Sequence, residues 1–275
     1  MELPLPEEDA EITQLIHAIY LKYNYDFRNY SKASQKRRIE QAISQLKCKS
    51  MADLQSKVLQ DSALFMQLLQ YLTIPVSEMF RDPSYFRSIR EHLAPILSTY
   101  PSLKIWVAGC STGEEAYSLA ILLKEEGLLE RSLIYATDIN PVSLEKAKKG
   151  VFALEKMPQY AENYLAAGGK GQLEDYYTGA YGGALFDKTL AEKITFSDHS
   201  LATDTVFSET HFVSCRNVVI YFNKTLQNRA YGLFHESLCR RGFLGLGHKE
   251  SLDFSAFSGQ FEAIVKKDKL FRKRE

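Results

Sequence analysis

The sequence lacks most of what would mark a secreted, membrane-spanning or nucleic-acid-binding chain. Among its 275 residues there are only 4 cysteines, and Cys48, Cys110, Cys215 and Cys239 stand far apart with no C-x-x-C pair. That spacing excludes a disulfide scaffold and gives no zinc site; it predicts reduced thiols in a reducing compartment. The six histidines are equally dispersed, so no metal is expected. No apolar run approaches the roughly 18–20 residues that a bilayer requires, and the opening MELPLPEEDAEI is acidic where a signal peptide is basic and then apolar. A cytosolic protein without membrane insertion is predicted. Net charge is also missing: 34 Lys+Arg face 34 Asp+Glu, which argues against a protein that holds nucleic acid by bulk positive charge. With 45% hydrophobic and 25% charged residues, the composition is that of a globular chain able to bury a sizeable core.

Strand signals are absent up to about residue 95. Ile12, Leu15, Ile16 and Ile19 recur at helical spacing, as do Leu64, Phe65, Leu68, Leu69 and Leu72, and after the Pro75 break and the Asp82-Pro83 turn, Tyr85–Leu97 reads as one more helix. From Lys104 the pattern changes to strands alternating with helices. The run Ile105-Trp106-Val107-Ala108 leads through Gly109–Gly113 into a helix, and a second strand, Leu133–Thr137, closes on Asp138 before another helix. Further strands are predicted at 194–196, 211–214, 243–246, 261–265 and near 270–271, the last two forming an antiparallel edge hairpin on a parallel sheet. Between about 150 and 195 this rhythm stops in favour of tyrosine and glycine, as in Tyr176, Tyr177, Gly179, Tyr181, Gly182 and Gly183, which predicts an inserted small β subdomain.

The turn I-W-V-A-G-C-S-T-G-E-E-A is the strongest local signal. Gly109 and Gly113 allow close backbone approach to a ligand, while the following helix aims free N–H groups at it. A dinucleotide fingerprint would require a glycine at Ser111 and another within the Glu114-Glu115 pair, and these carboxylates would repel a pyrophosphate. A cationic, hydroxyl-bearing ligand suits the turn better. Asp138 stands where a carboxylate grips an adenosine ribose, although Asp-x-Asn-Pro is also a good helix-capping turn. Together these features favour S-adenosylmethionine over a dinucleotide. Two more segments stand out: F-V-S-C-R-N-V-V-I-Y-F, where an apolar strand runs into Cys215, Arg216 and later Tyr221, and I-P-V-S-E-M-F-R-D-P, with Ser77 and Arg81.

T-I-P-V-S-E-M-F-R-D-P-S-Y-F, A-G-C-S-T-G-E-E-A-Y-S-L-A, A-T-D-I-N, C-R-N-V-V-I-Y-F and G-H-K-E-S-L occur in this order. Over essentially its whole length the sequence thereby resembles the CheR-type chemoreceptor glutamate O-methyltransferases. The resemblance implies an α/β fold: a seven-stranded class I methyltransferase (Rossmann-like) sheet in residues 96–275, an all-helical domain in residues 1–95 for substrate docking and cofactor closure, and an antiparallel β subdomain inserted at about 150–195. It implies S-adenosylmethionine as cofactor and S-adenosylhomocysteine as product. Ser77, Arg81, Gly109, Glu114 or Glu115, Asp138, Ser200, Leu201, Cys215 and Arg216 would line the cofactor site, with Tyr221 beside the reacting methyl and Arg81 closing the site. The sequence departs from the family pattern at Pro75, which has no amide N–H, at Ser200, where asparagine is common, and at Lys249, where serine is frequent.

Methyl transfer to a carboxylate joins a cationic sulfonium to an anionic oxygen and leaves neutral groups. It needs alignment and exclusion of water, and no strong base, because a glutamate is already ionised above about pH 4.3. The acceptor implied is the cytoplasmic helical domain of methyl-accepting chemoreceptors, met by a monomer through the basic segment Arg28, Lys32, Lys36, Arg37 and Arg38; a solvated helix face is the plainer account of those charges. Two rivals remain: a methyltransferase for another acceptor, against which no N-P-P-Y-type run follows the fourth strand, and a non-catalytic module that binds the cofactor or its product.

Overall fold

The computed structural model describes residues 7–275, so the first six residues of the acidic opening lie outside it. No described helix is long and apolar enough to cross a membrane. The chain divides into two compact units.

The first unit takes in the chain up to Ile74, together with Leu201–Thr203 and Tyr221–Ala230. Its helices are α1 (Glu7–Tyr23), α2 (Lys32–Gln45), α3 (Met51–Gln60) and α4 (Ser62–Thr73). In α1 the spacing of Ile12, Leu15, Ile16 and Ile19 puts all four on one buried face. Ser50 and Asp61 cap α3 and α4 by accepting from the Asp53 and Ala63 amides at 3.2 and 2.8 Å. Helix α4 stops at Ile74, whose φ of 44° is left-handed, just before Pro75. The distant segment enters this unit by pairing: the Ser31 amide donates to the Tyr221 carbonyl at 2.7 Å, and Tyr30 and Phe222 bridge with rings 4.9 Å apart.

The second unit begins at Pro75. The expected helix over 85–97 is α5 (Pro83–Ser88), a π turn (Ile89–Leu93) and α6 (Ala94–Leu97). Pro95 explains the widened turn: it has no N–H to give, and its ring cannot sit against the carbonyl four residues earlier. Phe86, Ile89, Leu93 and Leu97 pack into one core with Leu103 and Ile105. These helices therefore belong with the sheet, and the units part at Ile74, not at the residue 95 expected from the sequence.

The sheet unit continues through β1 (Leu103–Ala108), α7 (Glu114–Glu125), β2 (Ser132–Asp138), α8 (Pro141–Lys149), β3 (Val151–Ala153), α9 (Met157–Ala166), β4 (Tyr177–Ala180), β5 (Gly183–Phe186), α10 (Lys188–Ala191), β6 (Ile194–Asp198), β7 (Thr210–Cys215), α11 (Lys224–Ser237), β8 (Leu238–Leu246), β9 (Phe261–Val265) and β10 (Leu270–Lys273). Helix α11 is divided between the units after Ala230. Seven strands form one sheet in the order β6-β2-β1-β7-β8-β10-β9, parallel from β6 to β8 and antiparallel in the final hairpin. This is the class I methyltransferase fold. β3, β5 and β4 make a separate antiparallel sheet, the inserted subdomain. Strand β1 is buried at five of its six positions, as a strand covered on both faces must be. It lies between β2 and β7, so the chain reverses its direction of winding there and opens a crevice at the carboxyl ends of the three strands.

Candidate functional site

The turn leaving β1 is pinned to the end of β2. The Gly109 and Cys110 amides both donate to the Thr137 carbonyl, at 2.8 and 2.9 Å, and the buried Trp106 indole donates to the Thr137 hydroxyl at 2.8 Å. Gly109 has φ +78°, and any Cβ there would collide with the Val218 side chain; at Gly113, φ +98°, a Cβ would stand 3.0 Å from that of Ala147. Glycine is required at both positions by backbone angle and by space.

Three carboxylates converge on this turn. Asp138 accepts from the Ser111 amide at 2.8 Å on one oxygen and from the Asn140 amide at 2.9 Å on the other. Burial raises its pKa, and these backbone bonds oppose the rise. Asn140 itself caps α8, so Asp138 is left to hold the loop. Glu114 is 5% exposed: Thr112 donates to it at 2.7–2.9 Å, Ser77 and its own backbone amide bond it too, and the charge of Lys156 acts on it. Burial is again the main cause of its raised pKa. Glu115 turns the other way, accepting from Ser214 at 2.5 Å and from Arg216 at 3.2 Å.

Arg216 follows β7 and is the most enclosed cation of the site, with 1% of its side chain exposed. It pairs with Glu115 and with Asp82 at 2.7 Å, donates to the Arg81 carbonyl at 2.8 Å, and lies 4.1 Å over the Tyr85 ring. Tyr85 in turn bonds Ser214 at 2.6 Å. Arg216 therefore fastens the 80–82 turn, where Phe80 and Asp82 are left-handed, to the end of β7. This occupation of Asp82 explains why its side chain does not cap α5. The Arg81 side chain has no hydrogen-bond partner among the described residues. Cys215 is fully buried, its thiol pushed up by burial, and it has the character of a small wall residue.

Of the residues singled out from the sequence, the structure gathers Ser77, Arg81, Gly109, Glu114, Glu115, Asp138, Cys215 and Arg216 in the sheet unit. The Ser200 amide bonds Asp204 at 2.9 Å at the β6 end of that unit. Leu201 and Tyr221 group with the helical unit, where the Arg38 guanidinium stands 5.3 Å from the centre of the Tyr221 ring. The basic segment is not uniform. Arg28 pairs with Asp26 at 2.8 Å and stacks on Tyr20, and Arg38 donates to the Tyr71 carbonyl at 3.1 Å, whereas Lys32 and Arg37 are exposed.

One organising residue escapes the sequence reading. Glu250, 3% exposed, accepts from four backbone amides: Gly247 at 2.6 Å, Asn217 at 3.0 Å, Val218 at 2.8 Å and Ile220 at 3.4 Å. It shapes the loop that brings Val218 onto Gly109. The signal was an acid four residues past the end of β8, within G-H-K-E-S-L. Lys249, the departure noted in that motif, is exposed.

A turn lined with carboxylates and hydroxyls, including a buried and unpartnered Ser111 hydroxyl, fits a cationic nucleoside and not a pyrophosphate. Residues 75–269 match the family model described as "CheR methyltransferase, SAM binding domain", and residues 10–73 match "CheR methyltransferase, all-alpha domain". The fold and site are those of an S-adenosylmethionine-dependent methyltransferase. The chain belongs to the CheR methyltransferase family, and its cofactor is S-adenosylmethionine. It is 64% identical over 265 residues to a Pseudomonas putida protein named "Putative methyltransferase Cher3", covering 96% of this chain and 97% of that one. It is also 27% identical to a "Chemotaxis protein methyltransferase" of Listeria monocytogenes, over 90% of this chain and 92% of the other. A protein of the same name from Salmonella typhimurium is 32% identical over 76% and 73% of the two chains.

Proposed function

We propose that this protein transfers the methyl group of S-adenosylmethionine to glutamate side chains of chemoreceptor-type signalling proteins in the cytoplasm, forming glutamyl methyl esters. The observation that carries the reading is the convergence of Glu114, Glu115 and Asp138 on one glycine turn at the switch point of a CheR-family sheet. The names of the Listeria and Salmonella relatives support the chemotaxis setting.

The cofactor supplies an electrophilic methyl group on a sulfonium, and the rest falls to the chain. Asp138 grips the ribose hydroxyls, held in place for them by the amides of Ser111 and Asn140. Gly109 lets the backbone come close, and Cys215 contributes apolar wall. Arg216 neutralises Glu115 and holds the 80–82 turn in place. Ser200 and Leu201 border the adenine, Arg81 closes the site, and the Tyr221 hydroxyl orients the acceptor. No base is required, since the acceptor glutamate is already an anion at neutral pH. Exclusion of water then accelerates a step in which charge disappears. The helical unit, acting as a monomer, meets the acidic receptor helices through Lys32, Lys36 and Arg37, with Arg28 and Arg38 fixing the shape of that face.

The test is transfer of radiolabelled methyl to receptor-bearing membranes. Base-labile label that disappears when the receptor glutamates are replaced is expected. Base-stable label, or label on a small molecule, would move the acceptor elsewhere; binding of S-adenosylhomocysteine with no transfer to any fraction would leave a binding module.

A further inference from the structure

Two turns stand side by side at the carboxyl ends of the strands in the sheet unit. One, residues 247–250, leaves β8; the other, residues 266–269, joins β9 to β10. Because β8 is parallel to β7 while β10 runs antiparallel to both β8 and β9, both turns lie at the end of the sheet where the crevice opens. The Leu246 amide donates to the Lys269 carbonyl at 3.1 Å, which joins the base of one turn to the base of the other. The first turn also adjoins the site, since His248 stands 3.7 Å from Asp82, the partner of Arg216.

Acids and bases are sorted between the inside and the outside of these turns. Glu250 and Asp268 are 3% and 2% exposed, and both face inward: Glu250 takes the four amides described above, and Asp268 accepts from the Ser84 and Ser88 hydroxyls of α5, each at 2.6 Å. Lys249, Lys266 and Lys267 are exposed and Lys269 is half-buried, and none of the four makes an ion pair or a side-chain hydrogen bond among the described residues. Other cations of the hairpin are bonded within the fold: Lys273 donates to the His235 and Leu238 carbonyls at 2.8 Å, and Arg272 to the Arg241 carbonyl at 3.1 Å. Lys269 also holds a left-handed backbone, φ 54°, where glycine or asparagine is the easier residue. Four like charges without counter-charges repel one another, so their grouping does not serve the fold. An outside anion is what such a rim suits.

We propose that Lys249, Lys266, Lys267 and Lys269 form a docking rim on the sheet unit for the acidic face of the acceptor helix, meeting carboxylates that flank the glutamate being methylated. This docking rests on the acceptor proposed above. On an acidic helix, carboxylates three and four residues apart share one face, so the neighbours of the reacting glutamate reach cations set along the edge of the crevice. Asp268 and Glu250 fix the two turns beforehand, which lowers the ordering cost of presenting the lysines. The reaction itself changes the fit: each transfer turns an anionic carboxylate into a neutral ester, so the rim holds a methylated helix less firmly than an unmethylated one and favours its release.

The test is the kinetics of receptor methylation at low ionic strength. The rim variant combines Lys249→Gln, Lys266→Gln and Lys267→Gln, with Lys269 left in place because its left-handed backbone responds to substitution. A control removes the same charge from α8, where Lys146, Lys148 and Lys149 are exposed, by Lys146→Gln, Lys148→Gln and Lys149→Gln. The rim variant should raise the Michaelis constant for unmethylated receptor about three- to tenfold, the combined size of three weak exposed pairs, and the effect should fade with added salt. Its turnover number, melting temperature and S-adenosylhomocysteine affinity should stay at wild type, and the α8 variant should match wild type throughout. Should the triple rim variant unfold, Lys266→Gln with Lys267→Gln repeats the comparison. Equal increases in the rim and α8 variants mean bulk charge alone, and an unchanged constant in the rim variant means a solvated rim; either overturns the proposal. So does a loss seen only with membrane-embedded receptor, together with wild-type binding to anionic phospholipid vesicles that the rim variant lacks, since the rim then faces lipid. Wild-type protein that labels no receptor glutamate refutes the acceptor reading and the proposal with it, an outcome visible before the variants are compared.

Discussion

Asp138 is committed to two backbone amides before any ligand arrives, so its geometry is fixed for ribose hydroxyls. Asp138→Ala should cost about 1–3 kcal/mol of S-adenosylhomocysteine binding, and calorimetry showing unchanged affinity would take Asp138 out of the site. Glu114 makes a prediction about pH. Its pKa is raised from the ordinary 4.5, so its ionisation opposes folding, and the stability it lends in acid is lost as pH rises through the raised value. Glu114→Gln does not titrate. Its melting temperature relative to wild type should therefore climb as pH is taken upward from the ordinary carboxylate range. A gain that falls with pH would mean the carboxylate is stabilised in the fold. Gly109, Glu114, Glu115 and Asp138 stand out in the sequence because Asp138 ends a recognisable strand and the others lie in the turn and first helical residues that follow one, where chain position alone predicts proximity to a ligand. Glu250 does not, since the Asn217, Val218 and Ile220 amides it accepts from lie some thirty residues earlier in the chain, and neither local pattern nor periodicity encodes that approach.

Turns and helices carry their own consequences. Gly109→Ala must hold a left-handed backbone, costing about 1–2 kcal/mol, and must also displace Val218. The double variant Gly109→Ala, Val218→Ala should recover the steric part and not the backbone part, so urea unfolding should place it between the single variant and wild type. At the far end of α7, Glu125 accepts from the Tyr164 and Tyr176 hydroxyls and the Lys170 amide, and it pairs with Arg90, whose side chain is 8% exposed. Glu125→Ala leaves that arginine with one remaining carboxylate, Glu126, and strips both tyrosines of an acceptor. A loss of about 3–5 kcal/mol is expected in thermal or urea unfolding, and a loss under 1 kcal/mol would show that the cluster rearranges freely. The sequence foretold these helices well, because apolar spacing survives in any packing. It misplaced the domain boundary for the same reason: the spacing of Phe86, Ile89 and Leu93 declares a helix with one buried face and does not say which core receives it.

At the scale of the whole molecule, neutrality overall conceals an uneven surface. Lys32 and Arg37 are exposed on α2, while Arg28 and Arg38 are held by partners within the helical unit. Reversing the pair with Lys32→Glu and Arg37→Glu should raise the Michaelis constant for receptor at low ionic strength. The effect should fade with added salt and leave S-adenosylhomocysteine affinity unchanged, since exposed charges act at long range and are screened. Kinetics that match wild type at low salt would make α2 a solvated face. The expected sheet, insertion and terminal hairpin are all present, because alternation of strand and helix is a property of the entire second unit and tolerates local error.

The segment Tyr221–Ala230 has a bearing on how the protein comes off the ribosome. The ring of Tyr30 packs on Phe222, and the two are separated by most of the chain. At about 5–20 residues per second, the four amino-terminal helices wait roughly 10–40 s for this companion after leaving the exit tunnel. During that interval their aromatic surface is uncovered, which makes the nascent chain a client for holding factors even though it opens with well-formed helices. Codon choice and translation speed between the two segments should accordingly affect the yield of soluble enzyme more than changes of speed after residue 230.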